Sequence, residues 1–294
     1  MGTFTGHLVP GLAFTLLGLW HTLNTISSYK LRGQSGFTAT TWYPVFSHLP
    51  LVKYLELLLL LAFSALAMSM QLLDLPLLRL SYTPDGLEHA AMFFHLSVYA
   101  SAALVAELSS CPPAGALHGL VGVLAANVFA QELFLLHFHS TDHVGVEGHY
   151  HWLLQVVVTA SFLSAVITAG VPGSFPAALV RSMSVMFQGV WFMVMGFALW
   201  VPQLVPEGCH PSAGGGLQGG VSGAITCGTV EADARARMLG NLQFSWVFAG
   251  ISIFTASLCQ RHGGDGMAYR QLVAAGVDVQ LNSGREDELK QVGV

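Results

Sequence analysis

Residues Leu51-Val-Lys-Tyr-Leu-Glu-Leu-Leu-Leu-Leu-Leu-Ala-Phe-Ser-Ala-Leu-Ala-Met-Ser-Met-Gln-Leu-Leu73 decide the fold class. A predominantly apolar run of this length matches the roughly 20 residues that a helix needs to cross a hydrocarbon core. Comparable stretches occur at 8–26, 88–108, 117–137, 151–170, 178–201 and 240–260. Together they predict seven transmembrane helices. Short alternating strands are excluded by these lengths, and only helices or closed barrels satisfy their backbone within lipid. The expected fold is all-α, a polytopic bundle.

Composition agrees. Hydrophobic residues make up 53% of the chain and charged residues only 9%, against about 25% charged in a soluble domain, and the mean hydropathy is +0.60. One membrane domain over 1–260 and a tail over 261–294 is the simplest division. The tail carries Gly263, Gly264, Asp265, Arg285, Glu286, Asp287 and Glu288 with little apolar periodicity, a composition that points to disorder. Its Tyr269-Arg-Gln-Leu272 has the form of a short sorting signal, read by protein partners that dock extended peptides. No basic run suits nucleic acid. The N-terminus lacks the Lys or Arg of a cleaved signal peptide, and Gly6 stands where a myristoylation signal wants Ser or Thr.

Across seven spans, Lys30, Arg32, Lys53, Arg181, Arg261, Arg270, Arg285 and Lys290 fall on one side, and Arg79, Arg235 and Arg237 on the other. By the positive-inside rule the N-terminus is lumenal or extracellular and the C-terminus cytoplasmic. Cys209 and Cys227 then share the long lumenal loop before helix seven, where oxidising conditions permit a disulfide. Cys111 and Cys259 lie on the cytoplasmic side and are expected to be unpaired.

The same topology gathers histidines. His137-Phe-His139-Ser-Thr-Asp142-His143-Val-Gly-Val-Glu147-Gly-His149-Tyr-His151 lies at the lumenal turn between helices four and five. His7, ahead of helix one, and Glu88 and His89, opening helix three, reach the same level. Imidazole is the commonest neutral metal ligand and titrates near physiological pH. His89, His137, His139, His143 and His151 are therefore the candidate metal ligands, with zinc the candidate cofactor and Asp142, Glu147 and Glu88 available to accept the second N–H of a ligating ring. On a helix His149 points about 200° away from His151 and is not expected to join it. Interhelical hydrogen bonding, or simple titration, are the competing roles for the cluster. Deeper polar residues are His21, Asn24, Glu56, His95, Glu107, Gln131, Glu132 and Gln188, whose burial in lipid favours the bundle interior. The tryptophans, Trp20 and Trp191 among them, suit interfacial or packed positions. No phosphate loop, nucleophile elbow or His-Glu-x-x-His zinc motif is present.

Gly6-His7-Leu-Val-Pro10-Gly11, Gly18-Leu-Trp20-His21, the histidine turn, Phe187-Gln188-Gly189-Val-Trp191-Phe-Met-Val-Met-Gly196 and Asn241-Leu-Gln243-Phe-Ser-Trp246 stand in order along the chain. Read together they resemble the transmembrane protein 45 family, and most closely its plant, viral-response-like branch, over residues 2 to 260. The resemblance implies a seven-span protein of endomembranes, Golgi or endosomal, or of the plasma membrane, with no settled activity. It also covers His7, His89, His137, His139 and His151. The leading expectation is a non-enzymatic membrane protein whose lumenal histidines bind a transition metal or sense acid. The alternatives are a zinc-dependent intramembrane hydrolase and an ion or proton transporter using the deep polar residues.

Overall fold

The computed structural model describes residues 3–45, 49, 51–74, 79–80, 84–109, 114–138, 145–211 and 224–291, with side chains described as far as Arg261. Seven α-helices carry the described chain: α1 Phe4–Gly36, α2 Leu55–Leu72, α3 Pro84–Leu108, α4 Ala114–Phe138, α5 Gly145–Gly170, α6 Phe175–Trp200 and α7 Val230–Gln291. The chain is all-α apart from two short antiparallel pairs, β1 Leu73–Asp74 with β2 Arg79–Leu80, and β3 Cys209–Pro211 with β4 Ile225–Cys227. A single 3₁₀ turn, Val52–Tyr54, leads into α2.

Six of the described helices are long and apolar enough to cross a membrane, α2 to α7. At about 1.5 Å per residue each covers at least about 30 Å. The first helix is the exception to the expected seven. At 33 residues it has the length, but Pro10, His21 and Asn24 lower its hydropathy.

Local chemistry explains the helix ends. Thr3 caps α1 by accepting from the Gly6 N–H at 3.0 Å, which starts the helix early enough to carry His7 within it rather than ahead of it. Gly33, at φ 72°, breaks α1 near its end. Ser174 caps α6, with proline in the first turn where its missing N–H costs nothing. Gly145, at φ 71°, stands at the start of α5, so that helix begins before His149 and His151 and holds both. The last helix runs beyond residue 260, as far as Gln291.

Neighbours in space run α2–α3–α4–α5–α6–α1, with α7 laid against α5, α6 and α1. The first and sixth helices are antiparallel: Phe4 meets Phe197 at one end, and Tyr29 stacks on Phe175 at the other with centroids 4.0 Å apart. They touch through glycine. A Cβ on Gly18 would sit 2.2 Å from the Met186 nitrogen, and one on Gly189 2.2 Å from the Thr15 nitrogen. Such close approach is how membrane helices gain dispersion energy when lipid offers no hydrophobic drive.

Two apolar cores result. One, around Tyr150, Leu154, Trp191 and Met195, joins α5, α6 and α7 to the β3–β4 pair. The other, around Trp42, Leu57, Tyr99 and Ala103, joins α2, α3 and α4. The outer faces carry large exposed apolar side chains, such as Leu59, Leu66, Phe94, Phe248 and Ile253, and Trp246 on α7 is 68% exposed. A lipid-facing shell looks like this, since hydrocarbon solvates leucine as well as a protein core does.

Candidate functional site

Two groups of polar side chains stand out. The first lies where α1 and α5 begin and α6 ends. His7 donates from Nδ1 to the Thr3 carbonyl at 2.9 Å, and His151 from Nδ1 to the Glu147 carbonyl at 3.0 Å. A carbonyl only accepts, so both rings hold a proton on Nδ1, and in that tautomer Nε2 is the lone-pair nitrogen. The two rings meet edge to face with centroids 6.0 Å apart, and His7 also lies on the Trp200 indole at 4.4 Å. Both histidines and Glu147 are buried. Glu147 accepts from the backbone N–H of Ala224, beside β4. Cys209 faces Cys227 across β3 and β4, and a disulfide joins them. One carboxylate therefore ties α5 to the disulfide-closed loop.

The remaining histidines disperse. On α5, His149 turns away from His151, and its Nε2 meets Asn241 Oδ1 of α7 at 2.8 Å. His137, in the last turn of α4, meets Gln155 at 3.3 Å, while Gln155 donates to the Leu136 carbonyl at 3.0 Å. His89 sits half-buried on α3. His139, His143 and Asp142 lie outside the described residues, as does Cys111. Among the described residues no three of His, Cys, Asp and Glu are grouped to hold a metal ion.

The disulfide invites a test. It closes a loop of sequence separation 18, for which restriction of the unfolded chain stabilises by about 3 kcal/mol. Cys227→Ser is expected to lower the thermal midpoint of purified protein, and reductant should lower the wild type to the same value. Two freely alkylated thiols in denatured, unreduced wild type would contradict the pairing.

The second group lies deep in the bundle. Glu56 of α2, 7% exposed, accepts from Trp20 Nε1 at 2.8 Å and the Tyr43 backbone N–H at 2.9 Å, and its other oxygen meets His21 Nε2 at 2.8 Å. The Tyr43 hydroxyl meets Thr25 at 2.9 Å. Beside this network a cavity of about 70 Å³ is lined by His21, Glu56, Tyr99, Arg181 and Ser182. Further along α6, Gln188 donates to Ser161 of α5 at 2.7 Å, and Ser161 to Ser184 at 2.8 Å. These are interhelical hydrogen bonds of the kind that hold membrane helices in register.

Sequence reading singled out His21, Glu56 and Gln188 as deep polar residues but not their partners. Tyr43 comes from the α1–α2 connection, where nothing in the apolar pattern marks it. Trp20 and Trp191 use their indole N–H groups inside the bundle, on Glu56 and on the Tyr150 carbonyl at 3.1 Å. Arg181, one of the basic residues that set the expected orientation, is buried within α6.

A family model described as a family of unknown function (DUF716) matches residues 118–260. The matched part runs from the first turns of α4 to the end of the apolar part of α7. It contains His137, His151, Arg181 and both bridged cysteines, and stops short of α1, α2 and α3.

Proposed function

We propose that this chain belongs to the plant, viral-response-like branch of the transmembrane protein 45 family, and that it is a seven-span, non-enzymatic endomembrane protein that responds to lumenal acidity. The match over 118–260 supports the family. Counting α1 as a span is supported by its 33 residues and by where its polar side chains go. His21 faces Glu56, Thr22 bonds the Gly18 carbonyl at 2.7 Å and Asn24 the Trp20 carbonyl at 2.8 Å. Those groups lower the hydropathy of α1 without exposing unsatisfied donors to lipid.

The observation that carries the acid reading is the buried His7–His151 pair. Imidazoles take up a second proton in the ordinary range near pH ~6.5, and two like charges in one buried site repel. Glu147 on α5 borders the pair, and α6 presents Phe192 and Trp200 to it. Acid would therefore push α1 from α5, and loosen the loop that Glu147 holds.

A protonated imidazole quenches a tryptophan it touches, and His7 lies on Trp200. Tryptophan emission of the full-length protein in nanodiscs should fall as pH drops from about 7.5 to 5. His7→Gln should abolish the titration, whereas His149→Gln, facing Asn241, should leave it. A titration that persists unchanged in His7→Gln sinks the reading.

One observation favours a second reading, a transition metal at this end. Both Nδ1–H groups are anchored on carbonyls, the orientation that zinc-ligating imidazoles receive from their second shell. His7 and His151, with His89, His137, His139 and His143 of the same lumenal end, would supply the ligands. Zinc retained through dialysis by wild type and His149→Gln, but lost from His7→Gln and His139→Ala, would move the assignment from acid to metal.

A further inference from the structure

At the opposite end of the bundle a cavity of about 530 Å³ opens between the α1–α2 connection and the ends of α3 and α5. Its size is that of small-molecule sites, roughly 300–1,000 Å³. Thr38, Thr40, Thr41 and Thr168 line it together with Lys53, Glu107 and Arg181. A polar wall in an apolar bundle needs a reason.

Arg181 is the sharpest feature. It is 6% exposed, and its guanidinium donates to Thr168 Oγ1 at 2.8 Å and to the Thr40 carbonyl. Both acceptors are neutral. Among the described residues no carboxylate stands within ion-pairing distance of it, since the ion pairs are His21–Glu56, Lys53–Glu107 and Arg237–Asp233. An arginine in a protein does not shed its proton, and a buried charge without a directly bonded counter-charge is costly. Glu56, across the smaller cavity, attracts Arg181 through space, but its oxygens bond Trp20, His21 and Tyr43 and not the guanidinium. On the same wall the buried Thr40 hydroxyl has no hydrogen-bond partner among the described residues. Lys53, with 47% of its side chain exposed, sits at the mouth 3.4 Å from Glu107, a loose pair of the kind worth little in water.

We infer that this cavity binds a phosphate ester, its oxyanion paired with the Arg181 fork and accepting from Thr40 Oγ1, with Lys53 as the second cation. Guanidinium matches phosphate geometry, and Lys53, held only loosely by Glu107, offers a second cation at the same cavity. The ester is either a small soluble phosphomonoester or the head of an anionic lipid that enters from the leaflet. The lumenal histidines take no part, so this inference and the acid reading stand or fall separately.

The test uses full-length protein in phosphatidylcholine nanodiscs. One arm adds glycerol 3-phosphate; the other replaces part of the phosphatidylcholine with phosphatidic acid. A saturable rise in thermal midpoint is expected in one arm, and the arm that responds identifies the source. Arg181→Gln should weaken that binding by at least about tenfold, the scale for removing one partner of a buried charge pair, while Arg237→Gln at the other end leaves it unchanged. Should Arg181→Gln not fold, Lys53→Gln at the mouth should still weaken binding severalfold and flatten its dependence on salt. No response to either probe, equal binding by Arg181→Gln, or unaltered affinity and salt dependence in Lys53→Gln overturns the inference.

Discussion

Replacing Gly189 by leucine is expected to remove the folded protein altogether. A Cβ at this position falls 2.2 Å from the Thr15 nitrogen, 2.5 Å from its Oγ1 and 2.6 Å from the Gly11 carbonyl oxygen. Two of these atoms are backbone and cannot rotate aside, so α1 and α6 would have to separate. Separation by even ~1 Å forfeits a quarter to a half of each dispersion contact along the seam, and no hydrophobic drive restores it in lipid. The loss exceeds the ~4–5 kcal/mol that marks an exceptional substitution. Gly189→Ala should be damaged in the same direction. Gly250→Leu is the control, because a Cβ there meets nothing within 4 Å. Size-exclusion profiles of fluorescently tagged variants in mild detergent would show the difference. A monodisperse Gly189→Leu peak equal to wild type would mean that the seam is not as close as described.

Glu56→Ala is expected to have the next largest effect. Alanine leaves the Trp20 indole N–H, the His21 ring and the Tyr43 backbone N–H without their common partner. An unsatisfied buried donor costs about 1–3 kcal/mol, so the three together amount to roughly 3–9 kcal/mol. For a domain of 150–250 residues each kcal/mol moves the thermal midpoint by about 2–4 °C; a larger chain shifts somewhat less, so a fall near 10 °C is expected. Glu56→Gln should lie between, since its amide oxygen still accepts but its NH₂ meets a donor. Glu107→Ala, whose described partner Lys53 is half-exposed, should shift the midpoint far less. Equal midpoints for Glu56→Ala and Glu107→Ala would remove Glu56 from its central place.

The spans α2 to α7 were legible because a twenty-residue apolar run has one interpretation in a chain with so few charges. The boundaries were less so. Helix α5 begins at Gly145, ahead of the apolar run, because Glu147 and His149 find partners in a loop and a neighbouring helix, and His151 bonds the Glu147 carbonyl within α5 itself. The site was half legible. Histidine density marked one end of the bundle, and the alternation of spans brought His7 and His151 to it. Their pairing depends on the antiparallel seam of α1 and α6, which no pattern in either helix announces: Gly11, Gly18 and Gly189 read as ordinary membrane glycines until the partner is known. Arg181 was hidden for a different reason. Positive-inside counting sorts a basic residue to a side, and it says nothing about depth.

The glycine seam also bears on how the chain is made. Its two halves are the first and the sixth helix, and everything between them must leave the ribosome before they can meet. At about 5–20 residues per second the first helix waits on the order of ten seconds without its partner. During that wait His21 has Glu56 and Asn24 its own Trp20 carbonyl; what lacks a neighbour is the face of Gly11, Thr15 and Gly18, against which α6 will lie. Assembly thus ends with the oldest segment closing onto one of the youngest, and the intermediate that precedes closure leaves the glycine face of α1 open to lipid.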